Sequence, residues 1–317
     1  MGAIVSFHGS SQQERVAVLI MMSVLLENRD RLEKYLKERP SCLASFSFPG
    51  IFAWHDSCAY ELSRTHGCLC VFARDTVGKY MCLPPLGGNV SSEVIEDCFE
   101  TMNLVNGRNK VSRIENVPQE MVGFFDEKKF ERYKKGYEYC YWRKDIVGLK
   151  GNAYKSQRWA CNRFMRQYDF RYRPFSLEMI DACSELYDVW AQQSSQGQSD
   201  PVALGMIREN KGVHQLLMHY YQQVGLSGRV VEVNGLIKAY TFGFPISEKM
   251  FCVLLEITDQ EINGLSAFLF REFCNDGMVR SYDFINVMDD IGLPHVGRHK
   301  MLYHPVLMIP SYVISEK

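Results

Sequence analysis

The chain has 317 residues, 46% of them hydrophobic, 23% charged and 13% aromatic, a mix that excludes disordered and fibrous classes and is long enough to divide its core between two domains. Thirty-six basic residues against thirty-seven acidic ones leave a formal charge of −1, so nucleic acid cannot be held by bulk charge alone. Eleven scattered cysteines without a CxxC pair argue against a disulfide framework or a zinc ribbon, and a reducing, cytoplasmic setting is expected.

The longest apolar run, 16–26, is about half the roughly twenty residues of a membrane-spanning helix and reads as a buried first helix. Met1-Gly2 with Ser6 fits the myristoylation pattern, which is too short to carry weight. A charged helix is expected at 30–38, then a hairpin of strands 68–73 and 79–83 turning at 75–78. A helix at 91–102, a strand at 111–117 and a short helix opened by Pro118 follow.

Between residues 128 and 173 lie fourteen Lys or Arg against four acids (Glu131, Glu138, Asp145 and Asp169), a local balance of +10 that leaves −11 for the rest. Twelve aromatic residues are interleaved with these charges. Cations meet phosphates, and flat rings stack on bases or line apolar channels. Lys155, Arg158, Asn162 and Arg166 fall on one helical face. The same run also reads as a solvated connecting helix whose long side chains cover aromatic packing.

The second half opens with a strand at 170–175. Ser176 is expected to cap a helix carrying Ile180, Cys183, Tyr187 and Trp190, a loop at 192–200 ends at Pro201, and another helix carries Leu216, Leu217 and Tyr220. A hairpin turns at Asn234-Gly235, followed by a strand at 250–257, a helix at 261–275 and strands at 282–287 and 306–314. This order of strand, two helices, three antiparallel strands, helix, strand, short helix and strand is that of the N-acetyltransferase (GNAT) fold, and the first half repeats it faintly. The expected class is α+β, with tandem GNAT folds of mixed sheets flanked by helices. The expected domains are 1–145, a basic connecting helix at 146–168, and 169–317 with the active-site cleft.

Functional side chains are densest late in the chain: Glu256, Asn286, Asp289, Asp290, Arg298, His299, Lys300 and Tyr303. A carboxylate near a cation at a cleft can orient an attacking amine or hydroxyl and take its proton, and a Lys or Arg can stabilise an oxyanion. Ion pairs and turn-forming Asp residues around Gly292 and Pro294 account for the same set. His295 and His299 have the i, i+4 spacing of metal ligands but lack a third, so no metal is expected. A GNAT enzyme that uses acyl-coenzyme A cradles the pyrophosphate in a glycine-rich loop after the third central strand. The equivalent stretch, 258–266, has one glycine, Gly264, and two acids, Asp259 and Glu261. At about 4 Å each like-charge contact costs on the order of 1 kcal/mol even in water, so coenzyme A is disfavoured.

Four segments resemble the C-terminal, cytosolic domain family of phosphatidylglycerol lysyltransferases: Phe48-Pro-Gly-Ile-Phe-Ala-Trp54, the run from Leu149 to Phe164, the run from Phe284 to Gly292, and Lys300-Met-Leu-Tyr-His-Pro305. Together they extend from about residue 30 to the C-terminus. The resemblance implies two GNAT folds in tandem, related to enzymes that add amino acids to cell-wall peptides. It also implies transfer of an aminoacyl group from aminoacyl-tRNA to a lipid or small amine or hydroxyl acceptor, with no resident cofactor. On that footing Lys155, Arg158, Asn162, Arg163 and Arg298 bind a phosphate-rich substrate. Asp290 orients or deprotonates the acceptor, Lys300 binds the donor, Asn286 and Tyr303 hold the geometry, and Glu256 completes the set. The basic 128–173 segment would meet aminoacyl-tRNA, and a lipid acceptor would bring the protein to the inner membrane surface. The membrane-embedded flippase half of full-length lipid-modifying relatives has no counterpart in this sequence, and Val287-Met288 stand where many relatives carry charged residues. Acyl-coenzyme A-dependent N-acyl transfer and a binding module without turnover are the alternatives.

Overall fold

The computed structural model describes residues 25–53 and 59–317; the expected first helix, apart from its last two residues, and the Met1-Gly2 pattern lie outside them. Packing divides the described chain into two units, one of residues 25–41, 45–53, 59–133 and 312–317 and the other of 42–44 and 134–311. The division falls at 133/134 rather than near 145, and the last six residues return to the first unit.

In the first unit, helices α1 (Arg29–Glu38) and α2 (Phe48–Ala53) precede strands β1 (Ala59–Thr65), β2 (Cys68–Arg74) and β3 (Lys79–Met81). These strands form an antiparallel meander. Helix α3 (Ser92–Asn106) then crosses over to β4 (Arg113–Pro118), which runs parallel to β3. Strand β2 is buried from Cys68 to Ala73, and α3 buries Val94, Ile95, Cys98, Phe99 and Met102, with Cys98 Sγ 3.4 Å from Cys70 Sγ of β2. Ser91 caps α3 by accepting the Val94 N–H at 3.4 Å, and Gly107 ends it at φ 60°. Strand β1 was missed from sequence because it is half-buried throughout and carries no clear alternation.

The second unit repeats this order around a larger sheet. Its elements are helices α4 (Arg143–Gly148) and α5 (Lys155–Gln167), strand β6 (Phe170–Pro174), helices α6 (Ile180–Ser195) and α7 (Pro201–Val224), and strands β7 (Ser227–Val233), β8 (Leu236–Pro245) and β9 (Met250–Thr258). Helix α8 (Leu265–Asn275), strand β10 (Phe284–Asn286) and helix α9 (Pro294–Met301) follow. Strands β6 to β9 pair antiparallel, and α8 crosses over to β10, which runs parallel to β9. The Asn-Gly hairpin turn is as expected, with φ 52° at Asn234 and 82° at Gly235. Ser176 does not cap α6: a 3-10 turn, Leu177–Met179, intervenes, and its hydroxyl is buried without a partner among the described residues.

Two strands run through both units: β5 (Phe130–Trp142) and β11 (Leu307–Glu316). Within the second unit the order is β11-β5-β10-β9-β8-β7-β6, while the first continues from β4 onto the end of β11. Strand β5 was hidden in the basic run because residues 131–135 are exposed, and only from Glu138 to Tyr141 does it become a buried central strand. Both units thus carry the meander, crossover helix and parallel strand of the expected tandem GNAT-like α+β fold.

Candidate active site

Strands β9 and β10 pair over only three residues, Met250 to Cys252 against Phe284 to Asn286. Beyond Cys252 they part. At the same level β9 bulges: Phe242 faces Leu255 and Gly243 faces Val253, so Leu254 has no counterpart on β8. Bulges re-aim side chains and are frequent beside active sites. The parting opens a cleft of about 270 Å³ whose walls include Val253 to Glu256 of β9, Tyr141 of β5, Phe270 of α8 and Tyr303 just beyond α9.

Glu256 lies in this cleft, where the Ser266 hydroxyl donates to its Oε1 at 3.2 Å. No cation pairs with it among the described residues, and burial pushes its pKa up to about 7. Tyr303 is buried, its phenol pKa is raised by burial and then by the Glu256 charge, and its hydroxyl has no hydrogen-bond partner among the described residues. His299 also lines the cleft, its ring centroid 6.1 Å from that of Tyr303. Partial burial and then the neighbouring Lys300 ammonium lower its pKa. The end of α9 is held firmly: the Tyr141 hydroxyl donates to the Lys300 carbonyl at 2.9 Å, Gln157 Nε2 to that of Leu302 at 2.8 Å, and the Tyr154 hydroxyl to that of Tyr303 at 3.2 Å. These side chains satisfy carbonyls that a helix end leaves orphaned, and so fix Tyr303.

The other late residues are committed to architecture. Lys300 borders the cleft, but its ammonium donates to the carbonyls of Val287 at 2.7 Å, Met288 at 3.2 Å and Asp289, around a left-handed Met288 at φ 61°. Burial lowers its pKa, against the nearby acids. Asp290 accepts the Tyr139 hydroxyl at 2.7 Å on Oδ2 and the Gly292 N–H at 3.1 Å on Oδ1. A Cβ on Gly297 would stand 2.7 Å from that Oδ2, so the glycine lets α9 close on the carboxylate. Asn286 is fully buried, donates to Glu138 Oε2 at 2.6 Å and the Cys42 carbonyl at 3.2 Å, and accepts the Met288 N–H at 2.7 Å. Neither Asp290 nor Asn286 lines the cleft, and Arg298 is exposed on α9 away from its walls. Glu138, unremarked in the sequence beyond its charge, is the buried anchor here. It accepts the Ala44 N–H on both oxygens, at 3.1 and 2.9 Å, and burial lifts its pKa to about 7. Its one legible sign was a lone acid among the aromatic residues of β5.

Lys155, Arg158 and Asn162 line, with Asn152, Ser156 and Trp159, an open groove of about 620 Å³ on α5, and Arg166 of the same expected face does not line it. Arg158 is partly engaged with the carbonyls of Leu149 and, at 3.0 Å, Gly151. Arg163 is turned aside, its Nε donating to Gln167 Oε1 at 3.0 Å and its guanidinium 5.2 Å from the Trp159 ring centroid.

The loop between β9 and α8 has spent most of its amides. Asp259 donates its N–H to the Lys238 carbonyl at 2.9 Å, Gln260 to Gln193 Oε1 at 2.9 Å, Glu261 to Asp259 Oδ1 at 3.1 Å and Ile262 to the Asp259 carbonyl at 3.2 Å. Asp259 is buried and paired with Lys238 at 2.9 Å, so its charge is offset and the repulsion argued from sequence is weaker than it looked. Geometry replaces it. At Gly264 (φ 83°) a Cβ would meet the Ala160 carbonyl oxygen at 2.2 Å, so the one glycine serves close packing of α8 on α5. Among the described residues no group of three or more His, Cys, Asp or Glu is arranged to hold a metal, and no helix is long and apolar enough to cross a membrane.

The family described as "Phosphatidylglycerol lysyltransferase, C-terminal" matches residues 41–315. The chain belongs to this family. Among solved structures it is similar to a conserved protein of unknown function from Bacteroides thetaiotaomicron VPI-5482, at TM-score 0.79 and 24% identity over 92% of this chain and 97% of that one. It is also similar to L-PGS from Bacillus licheniformis, at TM-score 0.62 and 19% identity over 90% and 91%. FemX matches at TM-score 0.57 and 6% identity over 92% and 94%, and carries the same GNAT-like acyltransferase fold. No curated protein sequence matches. Family and fold together support an acyltransferase of the lysyltransferase-like kind.

Proposed function

We propose that this family member transfers an aminoacyl group from aminoacyl-tRNA to a hydroxyl or amine acceptor, a phosphatidylglycerol-like lipid being the first candidate. The observation that carries the reading is the pair in the cleft: a carboxylate poised near pH 7 with no cation beside it among the described residues, and an unpartnered phenol. In the reaction the acceptor heteroatom attacks the ester carbonyl as Glu256 takes its proton. The Tyr303 hydroxyl donates to the oxyanion that forms, and the proton on Glu256 passes to the departing ribose oxygen as the carbon–oxygen bond breaks. Lys300 and Asp290 act at one remove, by fixing the 287–292 turn and α9.

The spent amides of 259–262 and the tight contact at Gly264 favour a carrier other than coenzyme A, and the cations on α5 suit a polyphosphate chain. A lipid acceptor would bring the protein to the inner surface of the membrane. The test is incubation with a panel of charged tRNAs and total lipid or small amine acceptors. At least one charged tRNA is expected to be deacylated, acceptor-dependently and more slowly at high salt. No turnover with any combination, together with a calorimetric signal for an acyl-coenzyme A, would replace this reading with N-acyl transfer. If Glu256→Gln leaves ligand affinity and cellular phenotype intact, the protein is a binding module.

A further inference from the structure

Trp159 is 61% exposed on α5, an unusual place for a large ring with no packing duty. Its groove is walled by Asn152, Lys155, Ser156, Arg158 and Asn162, polar or charged residues whose aliphatic stems flank the ring while their heads can meet phosphate or base edges. Arg163 lies 5.2 Å from the ring centroid, and Lys155 has no partner among the described residues. An exposed indole framed by cations is suited to a base and its phosphates.

The groove does not end at Trp159. Ser156 is shared with a second groove of about 370 Å³ that passes the start of α8. There the first-turn amides of Ser266 and Ala267 have no acceptor among the described residues, as suits one phosphodiester at a helix N-terminus. Ser266, His299 and Tyr303 are shared in turn between this groove and the cleft that holds Glu256.

We propose that Trp159 is the stacking platform for a base of a single-stranded polynucleotide, whose 3′ end follows this trough past α8 to the cleft. The position of the 3′ end rests on the donor proposed above; the stacking on Trp159 does not. Phosphates pair with Lys155 and Arg158, and bases are accepted with little regard to sequence, since every base has a face to stack.

The probe is a short, unacylated, single-stranded RNA with a 5′ fluorophore, titrated by anisotropy against the intact chain and the Trp159→Ala and Trp159→Phe variants. Their folding is checked by thermal melting. Binding should weaken about tenfold or more in Trp159→Ala and be largely kept in Trp159→Phe. Lys155→Ala should make the dependence on salt shallower by about one counterion. Equal affinity of wild type and Trp159→Ala for the RNA overturns the proposal. So does RNA that fails to bind while vesicles containing phosphatidylglycerol recruit the wild type and not Trp159→Ala, which would make this face a membrane contact. Because no transfer is measured, RNA binding lost on removing Trp159 supports the platform even if every charged tRNA is refused. Turnover with tRNA that survives Trp159→Ala alongside unchanged RNA binding rejects the platform and leaves the donor reading standing.

Discussion

Glu256→Gln removes a titrating group while keeping shape, and the cleft geometry fixes what should follow. Burial raises the carboxyl from its ordinary 4.5 to about 7. For an acid raised in the folded state, stability is fully present below about pH 4.5 and is lost as pH rises through about 7. The difference of roughly two and a half units corresponds to about 3 kcal/mol lost above pH 7. The amide carries no such cost and can still accept the Ser266 hydroxyl bond. In denaturant titrations Glu256→Gln should match the wild type near pH 4.5 and exceed it by up to about 3 kcal/mol at pH 8. Catalysis should move the other way. Wild-type single-turnover deacylation should rise with pH through about 7 as the base ionises, and the variant should lose about 10²- to 10⁴-fold along with that limb. A variant that is more stable at high pH yet retains rate and limb would remove Glu256 from the chemistry. One with unchanged stability at pH 8 would refute the burial argument itself.

Three further outcomes follow from the packing. Gly264→Ala, with its Cβ driven against the Ala160 carbonyl at a left-handed φ, should cost about 3 kcal/mol or more, read by thermal or denaturant unfolding. Glu138→Gln places an NH₂ against the Ala44 N–H or the Asn286 amide, both donors, and should cost about 2 kcal/mol near pH 4.5, a cost that shrinks as pH rises through about 7, where the wild-type carboxylate is penalised by its burial. His214 is buried against the Tyr240 hydroxyl at 2.9 Å, and burial lowers its pKa to about 3. The unfolded chain therefore binds the proton first, and stability contributed by His214 falls by up to about 1.4 kcal/mol per unit as pH drops below about 6.5. Subtracting the pH profile of His214→Phe from that of the wild type should expose this slope.

Most elements of the second unit were legible because their signals are local: helical spacing in α7 and α8, and Asn-Gly between β7 and β8. What escaped was set by tertiary context. After a buried Phe130, strand β5 runs through five exposed residues, four of them charged, and becomes central only between β11 and β10, so its sequence reads as a basic linker. Packing divides the chain at 133/134, inside that strand, where no compositional break marks the division. Strand β10 was expected to run from 282 to 287 but pairs only from Phe284 to Asn286, and that shortness is what opens the cleft.

The site shows a different limit. Sequence reasoning selects groups by chemical type, and among Glu256, Asn286, Asp290, Lys300 and Tyr303 it favours Asp290 as the group that orients or deprotonates the acceptor. The fold separates them by what each has already bonded. Lys300 is spent on three main-chain carbonyls, and carbonyls leave no trace in side-chain spacing. Asp290 is spent on a phenol 151 positions earlier in the chain, and Asn286 on a carboxylate 148 positions earlier. Glu256 keeps only the Ser266 hydroxyl, because β10 has already parted from β9 at its level, and Tyr303, in the turn beyond α9, has no hydrogen-bond partner for its hydroxyl among the described residues. A group available for chemistry is one whose local partners the fold has withheld, and that withholding is a property of register rather than of residue type. His299 illustrates the point: its spacing from His295 matches a ligand pair that lacks a third member, whereas its place beside Tyr303 puts it in the wall of the cleft.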